Sequence, residues 1–354
     1  MRRNAWKLGA WVLWIAFAPS GAQAQQFAWP KDAPGDDASI SRSIPELARK
    51  VLSAYHDDDR DKDLANRFRL QLVAGDDRGA IASIRELRAL RAPRDGRSAA
   101  TEYLQYEVYA DAKDRQAKER LAFDEAFRRS FRALVGALDD IAAQQVLTAF
   151  SGDLKHNEDA LRTALDQSKG KDAIALADAL ALVKAYQVRQ AYADFQADAA
   201  KLVDEDDARR YAIEKNVLVD TPDGAHIAAM IVRPRSAPAK QTTLLEWTIY
   251  ANDDWAFFDA RAAAAHGYVG VVAYSRGKGA SPDAIEPYVR DGADAAATID
   301  WIAKQDWSDG RVGMYSGSYN AFAQWAAAKH HPAALKAIAT SASAAPGIDV
   351  PMEG

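Results

Sequence analysis

Between residues 40 and 210, apolar positions recur at three- and four-residue spacing among charged ones, which predicts helix after helix. Ala, Leu, Arg, Asp, Glu and Gln dominate this stretch, and no proline occurs from Pro93 to Pro222, so long helices are permitted. Ser43-Ile44-Pro45-Glu46 predicts a helix start, with Ser43 as cap, Pro45 in the first turn and Glu46 completing a capping box. Pro93 and Gly96 mark a loop. Residues 99–114 and 119–150 read as helical, and Ser151-Gly152-Asp153 breaks the pattern. Asn157-Glu158-Asp159 begins a further helix, Gly170 interrupts it, and residues 171–212 read as one long helix or two. Tyr103, Tyr106, Tyr109, Phe123, Phe127, Phe131, Tyr186, Tyr192 and Phe195 form an inward stripe at this spacing. The stripe fits a helix–helix core, and it also fits the wall of a substrate cleft.

Near Tyr211 the period changes. Residues 217–219 predict a strand, Thr221-Pro222-Asp223-Gly224 a turn and residues 226–232 the returning strand of a hairpin. Further strands are expected at 243–249, 267–273, 312–315 and 335–339, with helices at 254–266, 288–305 and 318–330 between them. Such alternation predicts a parallel sheet covered on both faces, entered through an antiparallel hairpin. The expected fold class is α/β: the N-terminal half of an α/β-hydrolase sheet, preceded by an all-helical domain.

Composition narrows the picture. The chain has 354 residues, enough for two domains, and 49% of them are hydrophobic, enough for real cores. The formal net charge of -5 argues against a nucleic-acid partner. There is no cysteine, which excludes disulfides and thiolate chemistry, and no cofactor or metal is called for by the sequence. Arg2, Arg3 and Lys7 precede an apolar stretch at 8–18, and Ala22-Gln23-Ala24 follows it. This is the pattern of a secretory signal peptide cleaved after Ala24, too short in its apolar run for the roughly 20 residues that span a bilayer. The expected organisation is signal peptide 1–24, linker 25–40, helical domain 41–212 and α/β domain 213–354, exported to the periplasm or beyond, with no membrane association after cleavage.

Candidate chemistry sits at residues 311–325, RVGMYSGSYNAFAQW. A buried strand turns sharply into a helix at Ser318, which is how a serine nucleophile elbow is built. The tight turn pushes the hydroxyl out, and the helix amino terminus aims free N–H groups at developing negative charge. Ser is also a favoured helix cap, and the flanking Ser316 and Asn320 depart from the Gly-x-Ser-x-Gly form. The surrounding words are Thr221-Pro222-Asp223-Gly224, Arg276-Gly277-Lys278-Gly279-Ala280-Ser281, Asp291-Gly292-Ala293-Asp294, Asp300-Trp301-Ile302-Ala303, Trp307 to Tyr315, and Gln324-Trp325. In this order they resemble the X-Pro dipeptidyl-peptidase and cocaine-esterase group of exported hydrolases, which includes α-amino-acid ester hydrolases and glutaryl acylases. The resemblance runs from about Val217 onward and leaves the helical region uncovered. It implies a serine hydrolase of ester, amide or X-Pro peptide bonds, with Ser318 as nucleophile. It gives the backbone N–H of Tyr319 and the hydroxyl of Tyr250 as oxyanion donors, with Arg276 and Asp291 in structural roles. The group carries Gly where this chain has Ser316 and Ala321, and an acidic residue where it has Tyr274.

The triad's remaining members have no evident place. His330 and His331 lie about 12 residues along the helix that Ser318 begins, roughly 18 Å away. His226 and His266 fall at a strand and a helix end, and His56 and His156 have no partners at metal-ligand spacing. Asp349 and Glu353 lie in the terminal tail, and residues 346–354 read as the start of a connection. The sequence is therefore expected to be the amino-terminal part of a longer hydrolase, inactive alone because the triad Asp and His are missing, with a complementing C-terminal half or self-association as possible partners. The alternative is a non-catalytic helper or binding protein that works through its helical domain.

Overall fold

The computed structural model describes residues 25–32, 35–95, 97–236 and 238–344. The signal peptide, Gly96, Asp349, Glu353 and the 346–354 stretch lie outside the described residues. Helix α1 (Asp37–Ala54) starts upstream of Ser43, because Asp36 caps it: its carboxylate accepts from the Ser39 N–H at 2.8 Å. Pro45 therefore lies inside the helix rather than at its start. It removes one backbone bond, and the burial of Ile44, Leu47, Ala48 and Val51 on the same element holds the helix through it. Residues 25–40, expected as a linker, instead supply strand β1 (Gln26–Ala28) as well as the beginning of α1; β1 pairs antiparallel with β2 (Ala173–Ala175).

Helices α2 (Arg60–Ala74), α3 (Asp77–Asp95), α4 (Arg97–Thr101), α5 (Leu104–Glu119), α6 (Phe123–Leu134), α7 (Asp140–Leu147), α8 (Leu154–Ser168) and α9 (Leu176–Arg210) complete the helical region. Helix α3 continues through Pro93, where a loop was expected. The expected helix over 119–150 is two helices and a 3-10 turn, and α8 is capped by Asp153 instead of opening at Asn157. Phe195, midway along the 35-residue α9, contacts the rings of Tyr109, Phe127, Phe150 and Tyr192. Most of the aromatic stripe lies in this one cluster, and Tyr186 in a second cluster with α1 and α8 residues; the stripe is helix–helix core.

Arg210 ends α9 and Tyr211 begins β3 (Tyr211–Asp220) with no linker. The sheet continues through β4 (His226–Pro234), β5 (Gln241–Thr248), β6 (Val269–Tyr274), β7 (Ser308–Gly317) and β8 (Leu335–Ser341), with spatial order β3-β4-β6-β5-β7-β8. It is mixed rather than parallel throughout: β3–β4 and β4–β6 are antiparallel, while β6, β5, β7 and β8 run parallel. In register, Leu245 of β5 lies between Val271 and Met314. Helices α11 (Asp291–Ala303) and α12 (Ser318–Ala328) cover one face over Trp247, Val271 and Met314. Helix α10 (Asp253–Ala265) covers the other over Met230, Val272 and Tyr274. Among the described residues β8 pairs on one side only. This is a helical region followed by an α/β-hydrolase-type sheet, and it places β5, β7 and α12 around one edge.

Candidate active site

Strand β7 ends at Gly317 and α12 starts at Ser318, with no residue between them. So abrupt a reversal forces unusual backbone: Ser318 has φ +58° and Ser316 has φ +116°. Each such torsion costs on the order of 1–3 kcal/mol unless its surroundings hold it. Between them, Gly317 leaves room for β8, since a Cβ there would stand 3.1 Å from the Ser341 carbonyl oxygen. Ser318 is exposed at the carboxyl end of the parallel strands, and the first N–H groups of α12 have no partner one turn back.

The sequence-derived candidates converge on this point. Tyr319 follows Ser318 and its side chain is buried, 4% exposed. Its hydroxyl donates to Asp291 Oδ2 at 2.6 Å and accepts from the Tyr288 N–H at 3.1 Å. Burial, then the Asp291 carboxylate, push the phenol pKa well above its usual range. Tyr250 lies just past β5, 53% exposed, with its ring 6.5 Å from that of Tyr319. Its backbone N–H is fixed by Thr248 Oγ1 at 3.0 Å.

Asp291 holds the surroundings together. Its Oδ1 accepts from Trp247 Nε1 at 2.8 Å and Ser275 Oγ at 2.6 Å, and its Oδ2 accepts from the Tyr288 N–H at 2.8 Å and the Tyr319 hydroxyl. One carboxylate thus ties β5, the loop after β6, the loop before α11, and α12. The next residue must be glycine, because a Cβ at Gly292 would stand 2.7 Å from the Ala326 carbonyl oxygen of α12. Arg276 bonds Asp294 at 2.6 and 3.0 Å and Asp223 at 2.9 and 3.0 Å. The Thr221 hydroxyl, then Arg276, hold the Asp223 carboxyl down at about 2. This joins the hairpin turn to α11. Gln324, fully buried, donates to the Ser316 carbonyl at 3.1 Å and accepts from the Ala339 N–H at 3.1 Å, stitching the elbow to β8.

Two further residues beside the elbow, Glu246 and Asp259, have no role in the sequence-based reading. Glu246 of β5 accepts at Oε1 from Ser316 Oγ and from Asn320 Nδ2, each at 2.8 Å. Asp259 of α10 meets Glu246 at a cavity of about 70 Å³ that Tyr250, Trp255 and Asn320 also line. Burial, then the neighbouring Glu246, raise the Asp259 carboxyl to about 6. The visible sign was a glutamate inside the apolar run Leu244-Leu245-Glu246-Trp247.

No histidine hydrogen-bonds Ser318 among the described residues. His56 lies 3.1 Å from Asp58, His226 sits at the start of β4 beside Asp283, and His266 turns its Nδ1 to the Ala262 carbonyl at 2.8 Å. His156 is on α8, and His330 and His331 follow the far end of α12. Among the described residues no group of three or more His, Cys, Asp or Glu is placed to hold a metal ion. No helix there is long and apolar enough to cross a membrane.

Residues 223–353 match the family model of X-Pro dipeptidyl-peptidase (S15 family). Over 145 residues the chain is 34% identical to cocaine esterase of Rhodococcus sp. (strain MB1 Bresler), covering 38% of this chain and 24% of that protein. It therefore spans about a quarter of the length of that relative. A solved CocE/NonD family hydrolase from Staphylococcus aureus is similar at 27% identity, over 36% of this chain and 27% of the other, with a TM-score of 0.34. A solved α-amino acid ester hydrolase is similar at 25% identity, over 37% and 25%, with a TM-score of 0.33. Residues 223–353 of this chain are thus similar to the X-Pro dipeptidyl-peptidase (S15) family.

Proposed function

We propose that this chain carries the nucleophile and oxyanion-binding part of a serine hydrolase that cleaves ester, amide or peptide bonds, X-Pro dipeptides among them. The observation that carries this is Ser318, exposed at φ +58° where β7 passes directly into α12. In the proposed reaction Ser318 Oγ attacks the substrate carbonyl. The oxygen of that carbonyl becomes an alkoxide, bonded by the Tyr319 N–H and the Tyr250 hydroxyl. Collapse expels the alcohol or amine and leaves an acyl-enzyme, which water then hydrolyses. The hydroxyl proton must pass to a base, and all six histidines lie elsewhere. The isolated chain is therefore proposed to acylate slowly, and a polypeptide supplying His and Asp beside Ser318 to raise that rate.

A fluorophosphonate probe tests the reading. Slow labelling confined to Ser318 and abolished by Ser318→Ala supports it. Labelling at other serines only, unchanged in Ser318→Ala, would overturn it. Rapid labelling at Ser318 would instead sink the claim that the chain alone is slow. Export is part of the same proposal: mass spectrometry of the secreted chain should find Gln25 as its first residue.

A further inference from the structure

Glu246 and Asp259 are two carboxylates with no cation opposite them. Glu246 is 7% exposed on β5, and Asp259 is half-buried on α10. They line one small cavity, and burial, then the neighbouring Glu246, raise the Asp259 carboxyl to about 6. The groups facing the pair are Tyr315 of β7, Tyr250 after β5, Asn320 of α12 and Val272 of β6. None is a cation. The other charged residues of α10 are engaged elsewhere or at the surface. Arg261 donates to Asp207 at 2.8 Å, Asp253 accepts from the Tyr274 hydroxyl at 3.0 Å, and Asp254 is exposed in the first turn.

The same pair reaches the elbow. Glu246 Oε1 accepts from Ser316 Oγ, directly before the Gly317–Ser318 step, and from Asn320 Nδ2, two residues after it. Asn320 Nδ2 also approaches Ser316 Oγ at 3.4 Å. Ser316 is held at φ +116°, and that strain persists only where something over-determines it. Asn320 is 6% exposed and its Oδ1 has no partner, so its amide is oriented through Nδ2, by Glu246 and more weakly by Ser316.

We propose that Glu246 is a positioning residue for Ser318, clamping the elbow through Ser316 and Asn320, and that the charge state of the adjacent Asp259 sets how firmly it does so. When the proton leaves Asp259, two adjacent carboxylates repel, and the clamp shifts with them. The catalytic meaning of this clamp rests on the reading of Ser318 as nucleophile; the coupling itself does not.

Backbone amide NMR of the full chain reads that coupling directly. From about pH 4.5 to about pH 8, the amide signals of Gly317, Ser318, Tyr319 and Asn320 should move together with a midpoint near 6. Glu246→Gln keeps an acceptor for Ser316 and Asn320 and donates to Asp259. Its elbow amides should stay at the wild-type low-pH positions and cease to titrate. Asp259→Asn, a substitution at a partly exposed site and so a low folding risk, should abolish the titration too. Glu246→Leu should displace these signals at every pH. Elbow amides that hold still through pH 6, or that titrate equally in Glu246→Gln and Asp259→Asn, would overturn the proposal. Fluorophosphonate labelling separates the two readings: titrating amides without any Ser318 labelling would leave the clamp standing and remove the nucleophile.

Discussion

The resemblance implies glycine at position 316, and the φ of +116° at Ser316 shows why glycine would suit it. This chain offsets the crowding with a side-chain bond that glycine could not make, from Ser316 Oγ to Glu246. At Asp291 the argument is about acceptors. Asp291→Ala leaves the Trp247 indole and the Ser275 and Tyr319 hydroxyls without their acceptor, and the Tyr288 N–H with only the Tyr319 hydroxyl. We expect a loss of about 3 kcal/mol or more, read as a lower urea midpoint at unchanged slope. Asp259 gives a pH dependence whose sign follows from its raised pKa. Its carboxyl titrates near 6 in the folded chain against 3.8 in an unfolded one, so the folded state binds more proton between these values. Stability should therefore fall as pH rises from about 4 to about 6. After discounting for solvent screening, the loss is on the order of 1 kcal/mol. Thermal melts of wild type and Asp259→Asn check it: the variant should gain on wild type across that window, and a constant difference would refute the assignment.

At the scale of elements, α9 is the member on which the helical region depends. Phe195 stacks on Phe127 with ring centroids 5.2 Å apart and touches Tyr109, Phe150 and Tyr192. Phe195→Ala should cost about 3–5 kcal/mol, with loss of near-ultraviolet circular dichroism at lower temperature than wild type. The aromatic spacing that predicts this core was legible, because it is the local consequence of a 3.6-residue period. The strands and helices of the α/β part were legible from short apolar runs alternating with helical stretches and turn residues, and the elbow was legible because strand, small residue, serine and helix are contiguous in sequence. The features that escaped are those that distance in sequence hides. Asp36 displaced Ser43 as the cap of α1 because a better acceptor stood upstream. Strand β1 pairs with residues near 174, which no local period announces. Glu246 and Asp259 meet Ser316 and Asn320 only after β5, α10 and β7 are assembled. A lone glutamate in an apolar run was the one local sign of it.

On the scale of the whole molecule, the helical and α/β parts are joined by α9 running into β3 and by charged side chains at the seam. Arg261 of α10 donates to Asp207 of α9 at 2.8 Å, and Arg235, just past β4, donates to the Ala208 carbonyl of α9 at 3.0 Å. The opposite end of the sheet lacks such closure. Among the described residues β8 bonds only β7, so it presents a row of unpaired backbone groups. Its sequence, Leu-Lys-Ala-Ile-Ala-Thr-Ser, carries one charge and no proline, so little in it discourages another strand from adding to the edge. Leu335 and Ile338 are only partly covered there. We therefore expect the chain, expressed alone, to self-associate in a concentration-dependent way. Ala337 is exposed on this strand, and Ala337→Lys should weaken association by placing a second charge beside Lys336 without touching the core. Sedimentation velocity over a concentration series decides it. A species of constant size at the mass of a monomer, in wild type and variant alike, would show that the β8 edge is already protected.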